Sequence, residues 1–382
     1  MGEALIIPPS SPPWQPRYAL TLAMARGLME IEAARAVVEQ IPLPPAVQSE
    51  LRRQARVRST HYSTRIEGNR LTLAEAEKVV EGKKVQLHGR ERDAGEVRSY
   101  WKALLRVEEW AARGDDLTEE TIRRLHALVE GRSHPSSYRD GQNVIRDSET
   151  GALVYLPPEA KDVPVLMQGL VEWVRQARKQ RLPPPLIAGL AHYQFVTIHP
   201  YYDGNGRTAR LLATFLLHRD GYGLNGLYSL EERHARDLAA YYGSLAVHPH
   251  HNYYEGRDTA DLTPWLEYFL GTLAEVFTRA KEEALRHASG ERSALEPEAL
   301  RRLDARARTV LGLFTRTEEI SSTDVARILG LSDRAARDLL RSWVRDGWLT
   351  VADPSRRGRS YRLSAVYRQF IGGLSAEPPP SR

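Results

Sequence analysis

The sequence contains no cysteine, and this absence excludes disulfide bonds and thiolate-liganded metal sites. A chain without disulfides is compatible with a reducing compartment, and we expect a cytoplasmic protein. No uninterrupted apolar run approaches the roughly 20 residues that a membrane-spanning helix needs, so we expect no membrane partner. The first residues also lack a basic start followed by a long apolar stretch, so the sequence predicts no signal peptide.

Lysine is absent from residues 286–382, which nevertheless contain 18 arginines against 12 acidic side chains. The whole chain of 382 residues has a formal net charge of +5, so all of the excess positive charge lies in this last quarter. A separate C-terminal module with an anionic partner would explain the asymmetry, and a solvated basic surface is the alternative. The length suffices for two or three domains, each with its own core.

The densest group of chemically active residue types lies between two helix-forming segments. From His199 to Arg210 the residues read His-Pro-Tyr-Tyr-Asp-Gly-Asn-Gly-Arg-Thr-Ala-Arg. Apolar residues at helical spacing lie on both sides, which predicts a tight loop that opens onto the N-terminus of a helix. Such an N-terminus attracts phosphate, because its N–H groups are unpaired and lie at the positive end of the helix dipole.

The second half of this segment suits the binding of a polyphosphate. Gly204 and Gly206 allow backbone N–H groups to approach an anion closely, and Asn205 adds side-chain donors. Arg207 and Arg210 are three residues apart, so they can share a helix face and grip phosphate with fork-like donors.

The first half of the segment suits catalysis. Asp203 is a suitable ligand for Mg²⁺ on a phosphate-bearing substrate. His199 has an ordinary pKa near neutrality and fits a base that takes a proton from an attacking hydroxyl. The alternative is a loop that binds no phosphate and contains a buried histidine.

This segment resembles the motif of the Fic (Fido) family, which reads His-Pro-Phe-x-Asp/Glu-Gly-Asn-Gly/Lys-Arg-x-x-Arg. The chain departs from the motif at one position, where Tyr201 replaces the usual phenylalanine. The resemblance implies a protein adenylyltransferase that transfers AMP from ATP to a Tyr, Thr or Ser hydroxyl of a target protein. It implies His199 as the base, Asp203 as the ligand of the cofactor Mg²⁺, and an ATP site made by Gly204, Asn205, Gly206, Arg207 and Arg210.

A second resemblance lies upstream, at the end of a predicted helix. The residues from Ser63 to Gly68 match the Ser/Thr-x-x-x-Glu-Gly/Asn pattern of Fic proteins that carry their own inhibitory helix. In that family the glutamate, here Glu67, pairs with the second arginine of the motif, here Arg210. Since a carboxylate and a phosphate compete for one guanidinium, we predict that Glu67 blocks the seating of the ATP γ-phosphate. Taken alone, the pattern would indicate only a helix end with a glycine cap.

Residues 138–157 contain the only clear hairpin pattern in a helical body. Two short strand-like runs, 142–146 and 152–156, lie on either side of a polar turn. This matches the Fic flap in place and pattern. In the family a target segment adds a strand along the flap, so Val144 and Ile145 are the predicted docking residues. A structural hairpin without a ligand is the alternative.

A predicted helix at 231–246 contains the adjacent aromatic residues Tyr241 and Tyr242. Fic relatives often place such a pair near the adenine. Adjacent residues on a helix cannot face the same way, so at most one lines the pocket, and we favour Tyr242. Core packing is an equal alternative for either residue.

The C-terminal segment predicts helices at 299–315, 323–329 and 333–346, followed by two strands around an arginine-rich turn. This pattern resembles a winged helix-turn-helix domain, which would bind double-stranded DNA. Protein contacts and a solvated basic helix face are the alternatives. The predicted DNA contacts are Arg334, Arg337 and Arg341 on the last helix and Arg356, Arg357 and Arg359 in the wing.

The predicted fold class is mainly α, with a Fic-type helical core, a β-hairpin flap and a C-terminal winged helix-turn-helix domain. The predicted order is an N-terminal helical region with the inhibitory motif at 1–95, a catalytic core at 96–285, a linker at 286–298 and the winged helix at 299–382. Two alternatives share these residues. One is a DNA-binding regulator whose Fic domain senses nucleotide, and the other is an enzyme that removes AMP from a modified protein. The target protein, the DNA sequence and the formation of a homodimer are left open.

Overall fold

The computed structural model describes residues 14–146, 150–288, 303–315, 317–355 and 359–368. These residues are mainly helical, as predicted, with two small antiparallel sheets. They divide into two compact units, one formed by the residues before 40 with residues 55–281, and the other by residues 40–54 with those from 282 onward. Within the described ranges, no helix is both long and apolar enough to cross a membrane.

The helices found in the first unit are α1 (Leu22–Gln40), α2 (Pro45–Ile66), α3 (Leu73–Val80), α4 (Glu91–Arg113), α5 (Glu119–Val129), α6 (Val163–Lys179), α7 (Pro184–Ile198), α8 (Asn205–Arg219), α9 (Leu230–Arg236), α10 (Leu238–Leu245) and α11 (Thr263–Ala288). Three of them, α1, α2 and α11, continue across the division. Short 3₁₀ turns occur at Ala160–Asp162 and Leu224–Gly226, and a π turn at Tyr253–Arg257. The strands β1 (Ile145–Arg146) and β2 (Leu153–Tyr155) form the predicted hairpin.

The core of the first unit is the pair formed by α7 and α8. Almost every side chain of these two helices is buried, including the polar residues that the sequence places in the motif. Of the two, α7 is apolar around most of its circumference, which is typical of a helix enclosed by other helices. Gly189 on α7 allows α11 to pack closely, because a Cβ there would lie 2.8 Å from the ring of Phe269. The loop between α7 and α8 is therefore held on a rigid support.

Side chains cap the N-termini of α3 and α5 in this unit. Thr72 begins α3 with a capping box, since its side chain accepts from the backbone of Glu75 and the Glu75 carboxylate accepts from the backbone of Thr72. Thr118 caps α5 by accepting from the N–H of Thr121.

The helix predicted at 231–246 is in fact two helices, α9 and α10. The break is at Asp237, whose backbone is non-helical (φ −137°, ψ 72°). Its carboxylate accepts a hydrogen bond from the N–H of Ala240 at 3.0 Å, so it starts a new helix instead of continuing the old one.

The second unit contains the helices α12 (Ala305–Leu311), α13 (Ser322–Leu329), α14 (Asp333–Arg345) and α15 (Ala365–Arg368). Its strands are β3 (Ile320–Ser321), β4 (Leu349–Asp353) and β5 (Ser360–Leu363), and they form an antiparallel sheet in the order β3-β5-β4. Its core contains Trp343, Trp348, Leu340 and Val310.

Several predictions for this unit need correction. The helix predicted at 299–315 is α12 followed by a 3₁₀ turn at Gly312–Thr315, and residues 299–302 lie outside the described residues. The sequence predicts Ser322 and Thr323 as the cap of the helix at 323–329. In the structure Ser321 caps α13, because the Ser321 hydroxyl accepts from the N–H of Asp324 while that carboxylate accepts from the backbone of Ser321. The helical spacing also predicts that Ile328 faces inward, but it is 39% exposed.

The predicted domain boundary at residue 95 does not separate compact units, since residues 55–281 cluster together. Residues 40–54 cluster with the second unit, a grouping that the sequence did not indicate. Ala46 packs among the apolar residues of that unit, which explains the grouping. The predicted linker at 286–298 falls largely outside the described residues, which resume at Leu303.

Candidate active site

The loop from His199 to Gly204 joins α7 to α8. His199 has a left-handed backbone conformation (φ 50°, ψ 59°), and Gly204 precedes α8 with a φ of 75°. A left-handed conformation is uncommon for a residue other than glycine, so the surroundings must stabilise it at His199. Arg139 does this, because its N–H donates to the carbonyl oxygen of Pro200 at 2.9 Å and its Nε donates to that of His199 at 3.0 Å.

The imidazole of His199 is in the form that a base requires. Nδ1 lies 3.2 Å from the carbonyl oxygen of Val196. A carbonyl oxygen only accepts hydrogen bonds, so Nδ1 carries the proton and Nε2 retains a lone pair. Burial lowers the pKa of His199 to about 4, so the ring is neutral near pH 7.

Asn205 closes the loop through its side chain, a role that the sequence did not indicate. Its side-chain oxygen accepts from the N–H of Tyr201 at 3.0 Å, and its side-chain nitrogen donates to the carbonyl oxygen of the same residue at 2.8 Å. The side-chain oxygen and one N–H of the amide are thus used in closing the loop, and the predicted contact with phosphate would use the second N–H. The N-terminal turn of α8 can supply that role with backbone N–H groups, since Thr208 is the first residue that bonds back, to Gly204.

Tyr201, which departs from the Fic motif, supports the loop from below. Its ring stacks on His126 with a centroid distance of 3.5 Å and an interplanar angle of 13°. Nε2 of His126 donates to the carbonyl oxygen of Asp203 at 2.9 Å, and Nδ1 accepts from the hydroxyl of Ser136 at 2.7 Å. The Tyr201 hydroxyl is buried and has no hydrogen-bond partner in the described part of the chain.

Asp203 has one carboxylate oxygen directed into the protein and one toward the surface. Oδ1 accepts from the N–H of Gly204 at 2.6 Å and lies 3.4 Å from Nη2 of Arg207. The nearest cation to Oδ2 is Arg92, at 3.8 Å, and the Asp203 side chain is 59% exposed.

No cluster of three or more His, Asp or Glu side chains suited to a metal occurs among the described residues. Mg²⁺ commonly binds one or two carboxylates and completes its coordination with phosphate oxygens and water. The single exposed carboxylate of Asp203 fits that arrangement, and it does not fit a site formed by protein ligands alone.

The two arginines of the segment are buried, and each is paired with carboxylate. Nη2 of Arg207 lies 3.0 Å from Oε1 of Glu130, which ends α5. Nη2 of Arg210 donates to Oε1 of Glu67 at 2.8 Å and to the carbonyl oxygen of Ser63 at 2.9 Å. Nε of Arg210 donates to the Ser63 hydroxyl at 2.9 Å. The predicted pair of Glu67 with Arg210 is therefore present.

Gly206 leaves the space in which the Glu67 carboxylate lies. A Cβ at this position would be 2.3 Å from Oε1 of Glu67 and 3.2 Å from Nη1 of Arg210. Gly206 thus makes room for the ion pair between Glu67 and Arg210, besides allowing an anion to approach the backbone.

Residues 116–217 match the model of the Fic/DOC family, and this range includes α5, the hairpin, α7 and the loop. These residues, called the Fic domain, are therefore similar to members of that family.

Curated relatives are similar to this chain over a longer stretch than the range 116–217. The protein adenylyltransferase Fic of Drosophila willistoni is 31% identical over 203 residues, which are 52% of this chain and 39% of that protein. This chain therefore spans about two fifths of the length of the curated relatives that it matches.

Solved structures also share the fold. A Fic family protein from Desulfovibrio desulfuricans has a TM-score of 0.60 and 27% identity, with 92% of this chain and 99% of that chain covered. A Fic domain containing signaling protein from Bacteroides thetaiotaomicron has a TM-score of 0.60 and 25% identity, with coverage of 71% and 99%.

The hairpin of the Fic domain is attached to the helix that carries His199. The hydroxyl of Tyr155 on β2 donates to the carbonyl oxygen of Thr197 at 2.7 Å, and Arg139 also donates to the carbonyl oxygen of Pro158. Beyond β2, Leu156 exchanges backbone hydrogen bonds with the segment at Asn252. Among the described residues β1 pairs only with β2, so its outer edge is free.

The predicted docking residues lie at this free edge. Val144 is 39% exposed just before β1, and Ile145 is half-buried within it. The turn residues 147–149 lie outside the described residues.

Tyr241 and Tyr242 face in different directions, as expected for neighbours on a helix. Tyr241 is 1% exposed, stacks on His234 and lies with its hydroxyl 3.1 Å from Nε2 of His192. Tyr242 is 48% exposed. Only Tyr242 has a surface that a ligand can reach.

In the second unit, Arg334, Arg337 and Arg341 all lie on exposed positions of α14. Arg359 is exposed next to β5, and Arg356 and Arg357 lie outside the described residues.

Three residues of the Fic domain site were not predicted from the sequence. They are Arg139, His126 and Glu130, which contact the loop from 60 to 77 positions away. For Arg139 the only signal was its position at the start of the flap pattern. The other two lie at the end of α5, where nothing in the sequence distinguishes them from surface or core residues.

Proposed function

We propose that this protein is an ATP-dependent protein adenylyltransferase that transfers AMP to a Tyr, Thr or Ser hydroxyl of a target protein. The observation that carries the proposal is the loop of the Fic domain, where a neutral imidazole and a helix N-terminus with buried arginines come from one short segment. The relatives named protein adenylyltransferase Fic support the same activity.

The reaction is a displacement at phosphorus. The oxygen of the target hydroxyl forms a bond to the α-phosphorus of ATP, and the bond from that phosphorus to the oxygen shared with the β-phosphate breaks. Pyrophosphate leaves, and the proton of the hydroxyl passes to Nε2 of His199. Backbone N–H groups at the start of α8, together with Arg207, stabilise the negative charge on the phosphates.

Asp203 would hold Mg²⁺ through Oδ2, since Oδ1 already accepts from Gly204. When bound, the ion would neutralise phosphate charge. Asp203 thus has two functions, because its Oδ1 fixes the backbone at the point where the loop turns into α8.

The free edge of β1 would receive the target segment as an added strand. Main-chain hydrogen bonds would then hold the segment, with Val144 and Ile145 in contact with its side chains. The anchoring of β2 through Tyr155 would keep that strand at a constant distance from α7.

Glu67 would keep the enzyme in an inhibited state. A γ-phosphate that binds Arg210 must replace the Glu67 carboxylate, because both groups require the same guanidinium donors. Glu67 directly follows α2, so an event that moves the end of α2 would release the site.

Incubation with α-labelled ATP and Mg²⁺ tests the activity. We expect weak labelling of the wild type, strong self-labelling or target labelling of Glu67→Gly, and no labelling of Glu67→Gly with His199→Ala. The matched control is Glu67→Gly with His134→Ala, which changes an exposed histidine and should label fully. An unlabelled Glu67→Gly protein, both alone and with a lysate, would refute the proposal.

A second function, DNA binding, is favoured by one observation in the second unit. α13 and α14 are joined by a tight turn at Gly330 (φ 64°), a sheet follows, and the arginines of α14 are exposed. This is the arrangement in which a recognition helix contacts phosphates in the major groove.

Retention on duplex DNA tests this second function. Retention should fall steeply with salt and should be lost when Arg334, Arg337 and Arg341 are changed together to Gln. The matched control changes the exposed arginines Arg106, Arg113 and Arg124 of the first unit. Absence of retention at low salt would exclude DNA binding by this face.

A further inference from the structure

The last turn of α5 faces the loop of the Fic domain. His126 donates to the carbonyl oxygen of Asp203, and Glu130 lies one helical turn further on. Residues four apart share a helix face, so both side chains reach the same segment. A Cβ on Gly204 would lie 2.6 Å from Oε1 of Glu130 and 3.2 Å from Nε2 of His126, so glycine is needed there to admit them.

Arg207 lies between two carboxylates that differ in their surroundings. Its Nη2 is 3.0 Å from Oε1 of Glu130 and 3.4 Å from Oδ1 of Asp203. The side chains of Arg207 and Glu130 are only 5% and 16% exposed, whereas that of Asp203 is 59% exposed. The shorter and more protected pair is therefore the one with Glu130.

We propose that Glu130 is a positioning residue that fixes the guanidinium of Arg207 for contact with the phosphates of ATP. This inference rests on the proposed adenylyltransferase function, in which Asp203 serves the metal. Glu130 is then the carboxylate that stays paired with Arg207 while Asp203 binds the metal.

The physical reason is the geometry of the guanidinium. Its five N–H donors lie in one plane, so a hydrogen bond at one nitrogen restricts the directions of the others. A charged partner holds this plane more firmly than a neutral one. Without Glu130, the guanidinium would turn toward Asp203 and would compete with the metal for that carboxylate.

The location of Glu130 also costs stability. Burial raises the pKa of this carboxyl, and Arg207 opposes the shift. A carboxylate that burial destabilises in the folded state is a candidate for a functional group. Replacing it by Gln should therefore leave the folded protein about as stable as before.

A binding cycle tests the proposal without any turnover. The parent protein carries Glu67→Gly and His199→Ala, so the site is open and the base is absent. The affinity for MgATP is measured by calorimetry for the parent, for Glu130→Gln, for Arg207→Gln and for the double variant. Glu120→Gln is the matched control, because Glu120 lies on the same helix, is 49% exposed and pairs with Arg124. Thermal unfolding of each protein accompanies the titrations.

We expect Glu130→Gln to weaken MgATP binding about tenfold in the parent and less than about twofold once Arg207 is Gln, since the two residues act as a coupled pair. The melting temperature of Glu130→Gln and the affinity of Glu120→Gln should stay near the parent values. An equal loss of affinity in both backgrounds would overturn the role of Glu130, and so would an unchanged affinity in a parent that binds MgATP. Either result would leave the proposed function standing. A parent that does not bind MgATP would instead overturn the proposed function, and this inference would fall with it.

Discussion

Nη2 of Arg210 and Oε1 of Glu67 lie 2.8 Å apart, although the two residues are 143 positions apart in the chain. The Arg210 side chain is 2% exposed and that of Glu67 is 28% exposed. Ser63 lies in the last turn of α2, just before Glu67. It accepts from the same guanidinium through its hydroxyl and its carbonyl oxygen. The end of α2 therefore uses several of the donors that a γ-phosphate would need.

The first prediction concerns the charge of Glu67. Glu67→Gln keeps the shape of the side chain and removes the charge, so Arg210 should exchange it more readily for phosphate. We expect the affinity for MgATP to rise about tenfold or more, since a hydrogen bond to a charged group contributes about 1.5–3 kcal/mol. Calorimetric titration measures this, with Glu109→Gln on the exposed face of α4 as the control. Unchanged affinity would show that Glu67 does not compete with ATP.

The second prediction concerns Gly206 and its closeness to Glu67. A Cβ at this position would lie 2.3 Å from Oε1 of Glu67, so Gly206→Ala should destabilise the wild type by about 1–3 kcal/mol. In the Glu67→Gly background the obstruction is gone, and alanine is about 1 kcal/mol better than glycine within a helix. The effect of Gly206→Ala should therefore change sign between the two backgrounds.

Chemical denaturation of the four proteins measures this sign change. Gly221→Ala is not a suitable control, because Gly221 has a φ of 88°. Gly243→Ala on α10 is suitable, because a Cβ there would meet nothing within 4 Å. The same cost of Gly206→Ala in both backgrounds would mean that Glu67 does not occupy this space.

The third prediction concerns the hydroxyl that distinguishes Tyr201 from the usual phenylalanine. It is buried, and no partner for it occurs among the described residues. Tyr201→Phe should therefore leave stability unchanged or raise it by up to about 1 kcal/mol, because an unsatisfied buried hydroxyl is unfavourable. Self-labelling in the Glu67→Gly background should also be retained, since the ring that stacks on His126 is kept.

Tyr155→Phe is the matched comparison for this third prediction. Its hydroxyl is also buried but donates to Thr197, so its removal should cost about 1–3 kcal/mol. Urea unfolding of both variants gives the comparison. A loss of stability in Tyr201→Phe as large as that in Tyr155→Phe would show that the Tyr201 hydroxyl has a partner.

The sequence predicted those parts of the site that depend on neighbouring residues. The loop, the start of α8 and the turn at the end of α2 follow from local spacing, and the resemblance to the Fic family linked Glu67 with Arg210. The hairpin was also predicted, because its strands are adjacent in the chain and separated by turn residues.

Contacts between distant segments could not be predicted in this way. Glu130 and Arg139 reach the loop from other elements, and periodicity describes only the element in which a residue lies. Asn205 was predicted to donate to phosphate because its position beside two glycines suggested it. Its side chain also bonds to the backbone of Tyr201, a contact that a list of residue types does not reveal. The break at Asp237 was missed because its flanking residues continue a helical pattern.

The last prediction concerns the pH dependence of stability. Burial lowers the pKa of His126 to about 4 and that of His192 to about 3, whereas an unfolded histidine titrates near 6.5. Between these values the unfolded state binds more protons than the folded state, so the free energy of unfolding falls as the pH is lowered. From pH 7 to pH 5 each of these histidines should reduce stability by something on the order of 2 kcal/mol.

Urea unfolding at pH 7, 6 and 5 measures the slope of stability against pH. His126→Asn should make this slope shallower whatever its effect at pH 7, because one proton-binding group of the unfolded state is removed. The variant His134→Asn, at an exposed position, is the control. If His126→Asn keeps the slope of the wild type, then His126 is not held neutral by its burial under the loop, and its Nδ1 would donate to the Ser136 hydroxyl instead of accepting from it.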